Sequence, residues 1–126
     1  MTLRKPHLSD ASSIAAISIE NEDGIDGFIC VSTGNPAPVD GCSNMEISTF
    51  YVQPRHHGKG IGKRLLDAAL THAREQGVAS VWLATNAENA PAIAFYLAQG
   101  FEHVGETHFR IEGEAYLNNV YAYRLA

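Results

Sequence analysis

The stretch Tyr51-Val52-Gln53-Pro54-Arg55-His56-His57-Gly58-Lys59-Gly60-Ile61-Gly62-Lys63-Arg64-Leu65-Leu66 places a glycine at every second position from 58 to 62, between a strand-like run and a helical apolar pattern. Glycines so spaced let main chain approach a ligand where a Cβ would collide. The helix that follows offers unpaired N–H groups and the positive end of its dipole, so the turn is built to hold a diphosphate. Two nucleotide readings fail on spacing. A mononucleotide P-loop needs four residues between its first glycine and a Gly-Lys pair followed by Ser or Thr, whereas only three separate Gly58 from Gly62 and Arg64 stands at the hydroxyl position. A dinucleotide fingerprint would place its third glycine at Lys63 or Leu65.

The chain of 126 residues is long enough for one domain with a real core, since 45% of it is apolar. Its formal charge of −5 argues against nucleic acid, which needs clustered Lys and Arg over a broad face. The positive charge that does cluster, Arg55, Lys59, Lys63 and Arg64, surrounds the glycine turn. No apolar run is long enough to span a bilayer and the N-terminus has no secretory segment, so a cytoplasmic protein away from membranes is expected. Cys30 and Cys42 lack Cys-x-x-Cys spacing and are expected as free buried thiols. The six histidines fall without carboxylates at ligand spacing, so no metal is expected.

Along the chain, Leu3 to Pro6 suggests a short first strand, Ser9-Asp10 a helix start, and Ala11 to Ile19 a helix with Ile14 and Ile17 inward. Phe28 to Ser32 has strand content, Gly34 to Gly41 reads as a loop, and Met45 to Val52 as a hairpin partner. Simple alternation in that strand puts Glu46, Ser48, Phe50 and Val52 on one face and Met45, Ile47, Thr49 and Tyr51 on the other. From about Gly60 to Gln76 the stripe Ile61, Leu65, Leu66, Ala69, Leu70 and Ala73 is helical, and Gly77 stops it. Val78 to Thr85 reads as a buried strand, and Asn89 caps a helix with Pro91 in its first turn. Phe101 to Ile111 and Tyr116 to Leu125 read as strands joined by Glu112-Gly113-Glu114. Strands alternating with helices give a mixed α/β layer.

Two blocks resemble the Gcn5-related N-acetyltransferase (GNAT) superfamily. Val52-Gln53-Pro54 followed by His57-Gly58-Lys59-Gly60 is similar to its Val-x-Pro and Gln/Arg-x-x-Gly-x-Gly/Ala signature, with the frame set by Pro54. His57 replaces the usual Gln or Arg there, which touches a side chain and leaves the main-chain amides unaffected. Asn89 through Phe101 resembles the Asn-x-x-Ala-x-x-Phe-Tyr-x-x-x-Gly-Phe block of the same superfamily. The resemblance implies a mixed, mostly antiparallel sheet with helices on both faces. The second N-terminal helix would be missing or reduced, because Asn21-Glu22-Asp23-Gly24 follows the first at once. The acceptor side would then be open or filled by another subunit, as in a homodimer.

The resemblance also implies acetyl-CoA as cosubstrate and an amine acceptor, whether small molecule, polyamine, or the lysine or N-terminal amine of a peptide. Phe50, Tyr51 and Val52 would pair with the pantetheine arm, a Val52 or Phe50 amide lying near the thioester carbonyl. The amides of His57, Gly58, Lys59, Gly60, Ile61, Gly62 and Lys63 would hold the diphosphate, and Asn89 would contact the arm. Tyr96 would protonate the leaving thiolate. Consecutive helical residues point about 100° apart, so Phe95 and Tyr96 are not expected to face the same core. Glu46 matches a position from which some members draw the ammonium proton through water, and a carboxylate beside Phe50 and Val52 suits that work near neutral pH. The tail from Gly100 is similar to that of bacterial spermidine/spermine-type acetyltransferases, with Asn118 or Asn119 in place of an acidic residue. The competing reading is a CoA-binding regulatory module that keeps the cradle without turnover.

Overall fold

The computed structural model describes residues 2–3, 7–8, 14–22, 24–53 and 60–125. Strands β1 (Thr2–Leu3), β2 (His7–Leu8), β3 (Ile14–Asn21), β4 (Gly24–Thr33) and β5 (Met45–Val52) lead into helix α1 (Ile61–Glu75). Strand β6 (Ser80–Asn86), helix α2 (Ala90–Ala98) and strands β7 (Glu102–Ile111) and β8 (Glu114–Arg124) complete the order. One sheet runs β1-β3-β4-β5-β6-β8-β7, with β2 also paired to β3. Every neighbouring pair is antiparallel except β5 with β6. This is the mixed, mostly antiparallel α/β arrangement expected from the sequence.

The helix expected over Ala11 to Ile19 does not form: the described part, from Ile14, belongs to β3. The same residues alternate, Ala15, Ile17 and Ile19 being buried while Ala16 is exposed. Two β-branched isoleucines at period two, Ile17 and Ile19, favour a strand once β4 lies alongside as an equally β-branched partner. A helix there would have covered the second face of the sheet. Both described helices instead contribute to one core cluster, where Leu65, Leu66 and Ala69 of α1 and Ile93, Phe95 and Tyr96 of α2 meet Ile17, Ile29, Met45 and Leu83. Of the expected first strand, Leu3 lies in β1 and residues 4–6 fall outside the described set, as does the helix start at Ser9-Asp10.

Helix α1 follows its apolar stripe, with Ile61, Leu65, Leu66, Ala69, Leu70 and Ala73 all buried. Gly77, at φ 78°, ends it, and its N–H donates to Arg74 O at 3.0 Å. Asn89 caps α2 by accepting from the Ala92 N–H at 3.4 Å. The β7–β8 hairpin closes through Glu112 and Gly113, both at positive φ, which matches the right-handed twist of the strands. Cys30 and Cys42 are free and half-buried. Burial pushes the Cys30 thiol up from its ordinary pKa.

Two register shifts shape the sheet near its centre. Asp26 is an extra residue of β4 between the pairs Ile19↔Gly27 and Glu20↔Ile25. Its carbonyl accepts from the Gln53 N–H at 2.8 Å, and the Gln53 side chain donates to Ile25 O at 2.8 Å, so the bulge fastens the end of β5. Next to it the backbones close in. A Cβ on Gly27 would stand 2.8 Å from Tyr51 O and 3.0 Å from Leu65 Cδ1. Gly27→Ala is expected to destabilise the fold by about 1–3 kcal/mol through overpacking, read as a lower urea midpoint with unchanged slope.

Candidate active site

The second register shift lies in β5, where Cys30↔Thr49 is followed by Val31↔Ile47 and leaves Ser48 as the extra residue. Side-chain alternation resets there. Met45 and Ile47 point into the core, and beyond the bulge Phe50 and Val52 pack on the same core. Glu46 therefore faces away from Phe50 and Val52, contrary to the face predicted by simple alternation. Ser32 and Ser48 share a hydrogen bond of 2.7 Å between their hydroxyls, and Asn35 Nδ2 donates to Glu46 Oε1 at 3.0 Å. Glu46 thus lies in a polar group on the sheet face opposite the helices.

Between β5 and β6 the ladder has a single described pair, Glu46↔Trp82. Among the described residues no pair joins the two strands beyond it. With one shared pair the two strands part, and on the helix side β5, the first turn of α1 and α2 line a cavity of about 510 Å3. Phe50 and Val52 form one wall, Gly60, Ile61, Gly62 and Lys63 a second, and Asn89 and Tyr96 a third. Eight residues predicted from sequence to bind the cofactor thus line one space. The volume falls in the range of small-molecule sites.

The first turn of α1 supplies the polar end of this cavity. Gly60 caps the helix in the left-handed region at φ 76°, a conformation that disfavours any side chain. Among the described residues no side chain caps the helix and no acidic residue occupies its first turn, which leaves the leading N–H groups available to an anion. A Cβ on Gly62 would sit 3.6 Å from Phe95 and 3.7 Å from Phe50, in ordinary contact but projecting between the walls. Lys63 is held by Asp67 at 2.9 Å in an exposed pair. His57, Gly58 and Lys59 lie outside the described residues.

Tyr51 does not join the cavity. It is 45% exposed, and its ring stacks against Phe28 at 5.7 Å on the opposite face, as the reset alternation requires. Pro91, Ala92 and Phe95 line the cavity without having been singled out. Their signal was the position of the first turns of α2, directly after the Asn89 cap. Phe95 and Tyr96 both pack on the core, contrary to the angular expectation. The rings of Phe95 and Tyr96 are each about 6 Å from Phe50, at 6.1 and 6.4 Å, and Tyr96 also meets Phe101 at 5.6 Å and Tyr121 at 6.5 Å. Both side chains are half-buried against the core, and no residue of α2 is fully buried.

A family model described as "Acetyltransferase (GNAT) family" matches residues 2–101. The chain belongs to this family. It is 33% identical over 106 residues to a streptothricin acetyltransferase of Streptomyces lavendulae, covering 84% of this chain and 53% of that protein. It is 40% identical over 88 residues to a mycothiol acetyltransferase of Saccharomonospora viridis, covering 68% of this chain and 29% of that one. The solved structure of nourseothricin acetyltransferase superposes with a TM-score of 0.76 at 26% identity, over 94% of this chain and 69% of that one. This GNAT chain therefore spans about half the length, or less, of these two curated relatives.

Burial among the rings raises the Tyr96 phenol above its ordinary pKa. A phenol kept protonated in the fold favours the native state while the unfolded chain is also protonated. That advantage declines as pH rises through the unfolded value toward the folded one. Unfolding measured across the alkaline range should show stability falling there, and Tyr96→Phe should flatten the fall.

Proposed function

We propose that this GNAT chain transfers an acetyl group from acetyl-CoA to a primary amine by direct attack in a ternary complex. The observation that carries the reading is the single β5–β6 pair at Glu46↔Trp82, with a ligand-sized cavity on one side of the opening and a carboxylate on the other. Acetyl-CoA fits as cosubstrate because the cavity joins an apolar slot, walled by Phe50, Val52 and Phe95, to an anion-ready helix end. His57, Gly58 and Lys59 complete the diphosphate cradle in this reading, Asn89 contacts the arm, and Lys63 adds positive charge.

With the helix side occupied by cosubstrate, the amine approaches from the opposite face. Glu46 takes one proton from the acceptor ammonium, directly or through a water. The freed nitrogen lone pair attacks the thioester carbon, the C–N bond forms, and the main chain of β5 beyond Glu46 steadies the charge on oxygen. Tyr96 gives its proton to sulfur as the C–S bond breaks with its electron pair. The nitrogen sheds its second proton to solvent, from which Tyr96 is reprotonated, and Glu46 releases the proton it took to solvent. The place of Tyr96 in the cavity lining supports this role.

A polyamine is the finer reading suggested by the tail. The two asparagines there are already engaged, Asn118 Nδ2 with Tyr116 O and Asn119 Nδ2 with the Tyr121 hydroxyl, each at 3.2 Å. The relatives' names point to streptothricin and mycothiol rather than spermidine. A small-molecule amine is the favoured acceptor.

Thiol release from acetyl-CoA, measured over a panel of small amines, polyamines and lysine peptides, tests the reading. Turnover with at least one amine is expected. Tight CoA binding by calorimetry with no turnover across the panel would replace the enzyme by a CoA-binding regulatory module. Tyr96→Phe should lower kcat by roughly a hundredfold with CoA affinity unchanged, the scale of a lost general acid. Gly62→Val should weaken CoA binding by about tenfold or more while the melting temperature holds, because its methyl groups enter the cavity.

A further inference from the structure

The loop from Gly34 to Asn44 crosses the helix-free face of the sheet and is fixed at both ends. Near its start the Asn35 N–H donates to Asn44 O at 3.1 Å, and the Trp82 indole N–H donates to Asn35 O at 3.0 Å. Farther along, Ser43 and Ser80 exchange hydrogen bonds of 2.9 and 3.2 Å, and Arg124 donates to Gly41 O at 3.0 Å. A Cβ on Gly105 would overlap Val39, so the loop also rests on β7. Asn35 is thereby held through both main-chain groups. Its side chain is then directed at a single partner, Glu46 Oε1.

We propose that Asn35 is the positioning residue for Glu46: it occupies Oε1 and fixes the carboxylate so that Oε2 faces the acceptor at the parting of β5 and β6. Three observations support this. Trp82, the residue paired with Glu46 across the parting, is also the donor that anchors Asn35. The clamp and the opening therefore share one residue, the first through its indole and the second through its main chain. Among the described residues Glu46 Oε2 makes no hydrogen bond, whereas Oε1 does. Ser32, paired with Glu46 across β4 and β5, shares its hydroxyl hydrogen bond with Ser48, and the carboxylate is bonded by Asn35. An amide donor on one oxygen removes rotational freedom from a half-buried glutamate and leaves the other oxygen able to take a proton.

The inference rests on the proposed role of Glu46 in acetyl transfer. Its test is a double-mutant cycle on the full chain, using thiol release with the best amine of the panel. Asn35→Ala should lower kcat by roughly tenfold, the scale of losing one hydrogen bond to a charged group, with the KM for acetyl-CoA unchanged. In a Glu46→Gln background, Asn35→Ala should add less than about twofold, because the group it orients is gone. Asn35→Asp, which keeps the shape and both main-chain anchors but loses the donor, should resemble Asn35→Ala rather than the unmodified protein.

Equal losses from Asn35→Ala in the two backgrounds would reduce Asn35 to a loop anchor and overturn the inference while leaving acetyl transfer intact. An unmodified protein without turnover would overturn acetyl transfer itself, and the positioning role with it. Circular dichroism melts within a few degrees of the unmodified protein are required of each variant. If Asn35→Ala melts early, the Asn35→Asp comparison decides.

Discussion

Strands β5 and β6 run parallel and share one residue pair, Glu46↔Trp82, and most of the site depends on where they part. A parallel pair that stayed in register would close the sheet and leave only a groove beneath the helices. Parting after one pair turns the sheet into two leaves. The antiparallel leaf β3-β4-β5 is held by the long β3–β4 and β4–β5 ladders, and the second leaf by β6, β8 and β7. Helix α1 spans the gap, packing on β3, β4, β5 and β6 at once, so the parting is kept open without the sheet falling into two domains. The cavity is the space left between its first turn, β5 and α2.

The bulge at Ser48 decides what faces that space. One inserted residue exchanges the faces of everything that follows, because side chains alternate with period two. Met45 and Ile47 could bury themselves without it, but Phe50 and Val52 would then point to the helix-free face and the cavity would lose its apolar wall. With it, a strand whose first half supplies a carboxylate to one side supplies a hydrophobic lining to the other. The second bulge, at Asp26, ties the end of β5 through Gln53, so the strand enters the glycine turn from a fixed position.

Much of this was legible in the sequence because local chemistry and tertiary structure agree. The glycine run before Ile61, the stripe from Ile61 to Ala73, the stop at Gly77, the Asn89 cap and the Glu112-Gly113 hairpin each rest on a backbone requirement that neighbours do not override. The misreadings share a different cause. Residues 14–19 satisfy a weak helical pattern and a period-two pattern alike, and the presence of β4 beside them settles the matter, which no local window contains. A β-bulge at a serine carries no composition signal, so Glu46 was assigned to the face of Phe50 when it shares that of Tyr51. The pairing of Asn35 with Glu46, eleven positions apart, was invisible for the same reason: the loop between them is read from its Gly and Pro content, which says that it turns and not where it lands.

The loop also changes what shapes the helix-free face. Among the described residues no helix precedes α1, so that face is covered near β6, β8 and β7 by a segment without secondary structure of its own. Such a cover is tolerable because its polar groups are met by the sheet: the Trp82 indole, Ser80 and Arg124 each satisfy or anchor part of it. Among the described residues, Ala16 of β3 and Thr49 and Tyr51 of β5 are exposed on this face. On the proposed reading an acceptor therefore meets a rigid polar wall on one flank and an open shelf bearing the Phe28–Tyr51 ring pair on the other. Selectivity in such a slot comes from the wall, where Glu46 and its neighbours fix the position of a charged nitrogen, while the shelf admits substituents of varied size. On that reading the geometry that must be exact for attack is set by one clamped carboxylate, and the remainder of the acceptor need only avoid the wall.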